Sequence, residues 1–112
     1  MQTIRSSREI DAVFRHGVRA STSLMTLVVT PAPPDHPDGR FCFIAGRRIG
    51  GAVRRNRMKR VLREAARAIG GPHAGLDVLV VAKAEVASAP REQIESAFRS
   101  ALSKATRRLE ET

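Results

Sequence analysis

Aromatic side chains are scarce in this 112-residue chain: four phenylalanines, no tyrosine and no tryptophan. Any platform for stacking flat ligands has few rings to draw on. Cysteine occurs once, at Cys42, which excludes an internal disulfide and a cysteine-based zinc site. That thiol reads as buried strand filling. No apolar run approaches the roughly 18 residues of a membrane-spanning helix, and the start does not resemble a signal peptide. The cytoplasm is therefore the expected location, and a membrane is not expected as a partner. Acidic residues are also few and scattered, and His16, His36 and His73 share no ligand spacing. His16 reads as a favourable cation in the last turn of a helix. A self-sufficient nuclease needs metal-holding carboxylates or an acid–base pair in one place, and no such constellation is visible.

What the chain does have is positive charge. Twenty Lys and Arg against eleven Asp and Glu leave a formal net charge of +9, so polyanions are the expected partners. Apolar residues make up 42% of the chain, enough for one modest core and one domain over residues 1–112.

Ser6 followed by Glu9 forms a capping-box signature, and Ile10, Val13 and Phe14 share a face, which predicts a helix over 7–16 stopped at Gly17. The β-branched run 24–30 predicts a strand. Four prolines between Pro31 and Pro37 then make 31–39 an exposed loop. A second strand is expected over 40–48, with Phe41, Phe43 and Ala45 on one face and Cys42 and Ile44 on the other. A helix follows over 53–69, stopped by Gly70-Gly71-Pro72. The nearly unbroken apolar run 76–83 suits a strand covered on both faces, in mid-sheet. Behind Pro90, the helical spacing of Ile94, Ala97, Phe98, Ala101, Leu102, Ala105 and Leu109 predicts a last helix lying along the core. The expected order is α-β-β-α-β-α, an α+β fold with one sheet packed by helices.

The segment 46–67 stands apart. It contains Arg47, Arg48, Arg54, Arg55, Arg57, Lys59, Arg60, Arg63 and Arg67, and no acidic residue occurs between Asp38 and Glu64. Met58, Val61, Leu62, Ala65 and Ile69 form one helical stripe, expected to face the core. Asn56, Lys59, Arg60, Arg63 and Arg67 form a second stripe about half a turn away. A merely solvated face mixes signs, because like charges at i, i+3 and i+4 repel by roughly 0.2–0.5 kcal/mol each. This helix also opens with Arg54, Arg55 and Arg57 against the positive end of its own dipole, a conflict that an anionic ligand would relieve. The preference for Arg over Lys suits planar, bidentate contacts to phosphates and bases. Gly46, Gly50 and Gly51 allow close approach of a phosphate backbone, although neither a Walker loop nor a dinucleotide fingerprint is present.

The run Gly46-Arg47-Arg48-Ile49-Gly50-Gly51-Ala52-Val53-Arg54-Arg55-Asn56-Arg57-Met58-Lys59-Arg60-Val61-Leu62-Arg63-Glu64 resembles the signature segment of the bacterial ribonuclease P protein family. Val13-Phe14-Arg15-His16-Gly17 and the strand at 76–83 extend the similarity over nearly the whole chain. The resemblance implies an α-β-β-α-β-α fold with a left-handed strand–helix–strand crossover. It also implies a protein subunit that helps a catalytic RNA bind precursor tRNA and magnesium so that the 5′ leader is removed. The active site would be on the RNA and no protein residue catalytic; Mg2+ would be held mainly by RNA, and no obligate protein partner is expected. Arg54, Arg55, Asn56, Arg57, Lys59, Arg60, Arg63 and Arg67 would meet the catalytic RNA. Arg47 and Arg48, at a strand end, would stand near a cleft holding the leader. Relatives tend to line that cleft with aromatics. Phe14 fits, whereas Ile10 and Val28 stand where further rings are expected, and Phe41 and Phe43 are the candidates to replace them, against their strand pattern, which favours the core. A structural ribosomal protein would share the charge and the Arg-rich helix. A DNA-binding helix is a weaker alternative, since no helix-turn-helix pair or dimer seam is evident.

Overall fold

The computed structural model describes residues 2–111; of the expected domain 1–112, Met1 and Thr112 lie outside the described residues. Helix α1 (Ser7–His16) begins where the Ser6 hydroxyl accepts the Glu9 amide at 3.4 Å. It ends at Gly17, whose extended backbone leaves the helix and where a Cβ would lie 2.5 Å from the Val13 carbonyl oxygen and 2.6 Å from a Val28 methyl, so only glycine fits. The chain then runs into a hairpin of β1 (Val18–Ser21) and β2 (Met25–Pro31), turned by the Thr22 hydroxyl, which accepts the Leu24 and Met25 amides at 3.1 and 3.2 Å. After β3 (Arg40–Ile44) come α2 (Ala52–Ala68), β4 (Leu76–Ala82) and α3 (Arg91–Glu110).

The strands lie in the order β1-β2-β4-β3. β2 is antiparallel to β1 and β4, whereas β3 is parallel to β4 and joined to it through α2. The fold is α+β with a mixed four-stranded sheet, and the apolar run of β4 occupies mid-sheet as its composition requires. β1 is an addition to the expected order. Its four residues alternate Val18 and Ala20 with Arg19 and Ser21, too short and too polar to stand out before the hairpin is seen. A second difference concerns the strand expected to reach Arg48. It ends at Ile44, the last residue paired with β4, and Arg47–Ile49 form one turn of 3-10 helix leading to α2.

Strand alternation sends residues to two cores. Leu27, Val29, Phe41, Phe43, Val78 and Val80 lie beneath α2 and α3, which contribute Met58, Leu62, Ala65 and Ala66, and Ile94, Phe98, Ala101 and Ala105. Each large apolar side chain buried this way stabilises the fold by roughly 1.5–3 kcal/mol. On the opposite side Val28, Cys42 and Leu79 meet Ile4 and Val13, with Ile10, Phe14 and Ile44 at the rim. Residues 2–4 pair with the outer edge of β3, the Ile4 amide donating to the Phe41 carbonyl at 2.9 Å and the Phe41 amide to that of Gln2 at 3.2 Å.

An ion pair anchors α1 across this second side. Arg40 and Asp77, directly opposite in the β3–β4 ladder, are 4% and 3% exposed. The Arg40 Nε donates to Asp77 Oδ1 at 3.1 Å, and its Nη2 donates to Asp77 Oδ2 and to Glu9 Oε2, both at 2.7 Å. The Asp77 hydrogen bonds outweigh burial and hold the Arg40 pKa above its ordinary value. A bidentate pair of this geometry satisfies charges that would otherwise be costly to bury.

Candidate nucleic-acid interface

The α2 helix presents its cations as its periodicity predicts. Met58, Leu62 and Ala65 are buried, and Val61 and Ile69 half-buried, whereas Arg54, Asn56, Arg57, Arg60 and Arg67 are exposed. Arg55, Lys59 and Arg63 are half-buried, partly folded against the body of the protein. The Arg63 guanidinium carbon lies 5.6 Å from the Phe43 ring centroid, a cation–π contact that fixes its stem while leaving hydrogens free to donate. Among the described residues, the ion pairs are those of Arg40 with Asp77 and Glu9, Arg91 with Glu95, and His36 with Asp35. No cation between Arg47 and Arg67 therefore has a carboxylate partner there. The N-terminus of α2 is likewise uncapped by any side chain, with Gly51 at the N-cap and no acid in the first turn. Gly46 and Gly51 face open space, and Gly50 takes φ +145°, a conformation suited to glycine. A shallow groove lined by Gly51, Arg54, Asn56, Arg57, Arg60 and Arg63 runs along this face, together with Val53, a large apolar side chain that is 87% exposed.

The sheet supplies a second surface. On the α1 side, three registered rows cross the strands. The row of Thr30, Asp77 and Arg40 meets α1 through Glu9, and the row of Val28, Leu79 and Cys42 packs against Val13. The third row, Ser21, Thr26, Val81 and Ile44, contains no buried residue. It is a strip with an apolar half and a hydroxyl half, the Ser21 and Thr26 oxygens 2.8 Å apart. Lys83, just past β4, keeps the ladder by its amide to Leu24, and its Nζ donates to the Thr22 carbonyl at 2.5 Å. Half-buried Phe14 stands on the α1 side of the strip, with the Arg19 guanidinium carbon 5.6 Å from its ring centroid. At the β3 edge, burial pushes the Cys42 thiol pKa up, and the charge of Lys59 opposes that rise.

The expected cleft residues do not all converge. Phe41 and Phe43 point to the opposite side of the sheet from Phe14 and are buried beneath the helices, where their rings stack at 5.3 Å and Phe98 meets Phe41 edge-on at 5.9 Å. They cannot line a surface shared with Phe14, and the cause is strand parity, which turns odd-numbered β3 residues inward. Arg47 and Arg48 are exposed, in the 3-10 turn and not at a strand end. Conversely, Arg19, Thr26, Ile44, Val81 and Lys83 were not singled out in the sequence. The parity that places Ile44 opposite Phe43 was visible there; the open row became visible only once the four strands were in register.

The whole assembly has known counterparts. The family model for ribonuclease P matches residues 1–106. The chain is 35% identical over 103 residues to the ribonuclease P protein component of Syntrophomonas wolfei subsp. wolfei, covering 91% of this chain and 85% of that protein. It is 36% identical over 63 residues to that of a Nitratiruptor species, 56% of this chain but only 54% of that relative's length. Its fold superposes on the solved RNase P protein of Staphylococcus aureus with a TM-score of 0.80 at 18% identity, covering 94% of this chain and 95% of that one.

Proposed function

The chain belongs to the ribonuclease P protein family, and on that premise we propose that it is the RNA-binding subunit of a ribonucleoprotein that removes the 5′ leader from precursor tRNA. The catalytic RNA carries the active site. The α2 ridge, from Arg54 to Arg67, meets that RNA, and the turn at Arg47 and Arg48, with Phe14 and the open sheet row, holds the unpaired leader. The observation that carries this reading is the cationic face of α2, which has no carboxylate partner among the described residues.

Each part has a physical role. Guanidinium groups along a helix contact phosphates and release counterions, so affinity depends steeply on salt. The open row, apolar and hydroxyl-bearing at once, suits unpaired nucleotides, whose bases stack and whose edges need hydrogen bonds. Among the described residues no three His, Cys, Asp or Glu side chains are placed to hold a metal ion together. On the family reading, and independently of that, the magnesium this reaction uses is assigned mainly to the RNA, and the protein's share is positioning and charge. Also among the described residues, no helix is long and apolar enough to cross a membrane. Independently of that, the family reading assigns the protein to the cytoplasm.

Reconstitution with the partner RNA tests the proposal. The protein is expected to restore leader removal at low magnesium and to bind leader-bearing substrate more tightly than leaderless tRNA. Cleavage by the protein without RNA, or a lack of any effect on the RNA's activity, would refute it; co-purification with ribosomes alone would favour a structural ribosomal role.

A further inference from the structure

All four phenylalanines are now placed, and three of them, Phe41, Phe43 and Phe98, are buried in the core on the far side of the sheet. Phe14 is the one ring beside the open row. Stacking an unpaired strand on a single ring is a thin arrangement, and the structure offers a second flat surface beside it. Arg19, exposed on β1, lies over the Phe14 ring. Its Nη2 donates to the Phe14 carbonyl at 3.0 Å, and Arg108 of α3 donates to the Arg19 carbonyl. The guanidinium is thus tied to α1 by its own hydrogen bond, and its strand to α3 by another. No carboxylate pairs with Arg19 among the described residues. Its guanidinium carbon lies 5.6 Å from the Phe14 ring centroid, and the residue is exposed. Two residues along the same strand face, a backbone step of about 7 Å, Ser21 begins the open row.

We infer that Arg19, held on Phe14, is a base-stacking platform for one unpaired nucleotide of the RNA that crosses this sheet face. A guanidinium plane stacks on a nucleobase as an aromatic ring does, and adds attraction to the phosphates on either side. The Arg19–Phe14 pair therefore supplies the stacking that Ile10 and Val28, both aliphatic, cannot. The inference rests on the leader-binding reading above and names the residue that makes its stacking contact.

The test uses the reconstituted holoenzyme and precursor tRNAs carrying 2-aminopurine at successive leader positions, with Arg19→Ala and Arg19→Lys compared to wild type. The wild-type complex is expected to quench one position more than its neighbours. Both variants are expected to relieve that quenching alone and to weaken leader-bearing substrate about 5–10-fold relative to leaderless tRNA, with unchanged thermal stability. Lysine keeps the charge and loses the plane, so Arg19→Lys behaving as wild type would reduce Arg19 to a plain cation and overturn the inference, as would quenching that survives in Arg19→Ala. Equal wild-type binding of leader-bearing and leaderless substrates would overturn the leader reading and this inference together, and that result is distinguishable because it precedes any substitution.

Discussion

Phe98 has no solvent exposure and meets Phe41 edge-on at the centre of the larger core. Truncation there removes a whole ring from a site walled by sheet and helices, so Phe98→Ala is expected to destabilise the fold by roughly 3–5 kcal/mol in urea titration; a loss below about 1 kcal/mol would contradict the assigned core. His73 makes a subtler case. Its ring stands edge-on to Phe41 at 6.0 Å, its Nε2 is buried without a partner among the described residues, and burial lowers its pKa from the ordinary 6.5. The unfolded chain therefore takes up a proton at His73 before the folded one does. Stability contributed by the neutral ring is complete above the ordinary value and falls as pH drops below it toward the lowered folded value. Unfolding midpoints measured from about pH 7.5 down to about pH 5 are expected to fall less in His73→Leu than in wild type. Parallel curves for the two proteins would remove His73 as the cause.

At the scale of elements, α1 and α2 are held by opposite chemistries. α1 is fastened through Arg40 to Asp77 and Glu9. Asp77→Ala leaves a buried guanidinium with the half-buried Glu9 as its one remaining carboxylate partner among the described residues, and is expected to cost about 3–5 kcal/mol. Glu9→Gln, at a half-buried rim carboxylate, should cost under about 1 kcal/mol, and equal losses in the two variants would argue against a buried anchor. α2 is fastened by its apolar stripe, with Arg63 against Phe43, and leaves its exposed cations to a ligand. Arg55→Ala and Arg57→Ala are together expected to weaken assembly with the catalytic RNA by roughly 1–3 kcal/mol and to flatten the salt dependence by about one unit per lost phosphate contact. An unchanged salt slope would take the ridge out of the interface. These two helices also mark what sequence reading can reach. The stripes of α2 are local, set by a period of 3.6; the apolar one was legible residue by residue, the cationic one at Asn56, Arg60 and Arg67 but not at half-buried Lys59 and Arg63. The Arg40–Asp77 pair spans 37 positions and exists only through parallel register, which no local period encodes.

For the molecule as a whole, the sheet divides two surfaces. α2 packs on the side of Phe41 and Phe43, while the open row of Ser21, Thr26, Val81 and Ile44 lies on the side of α1. The charge excess was readable from composition, and so was the helix that concentrates it; the division of labour was not, because it depends on β1 extending the sheet and on α1 stopping at Gly17, one row short of full cover. If the two surfaces serve different RNAs, their losses must separate. Arg57→Ala should weaken holoenzyme assembly whatever the substrate. Ile44→Glu, which sets a carboxylate in the open row, should leave assembly intact and reduce binding of leader-bearing precursor about tenfold, near 1.4 kcal/mol, with leaderless tRNA unaffected. Residues on opposite sides of a sheet share no partners, so the double variant should show the sum of the two effects within about 0.5 kcal/mol. Binding titrations of both variants and their combination decide the matter: strong non-additivity, or an assembly defect in Ile44→Glu at undiminished fold stability, would mean that one RNA wraps both faces.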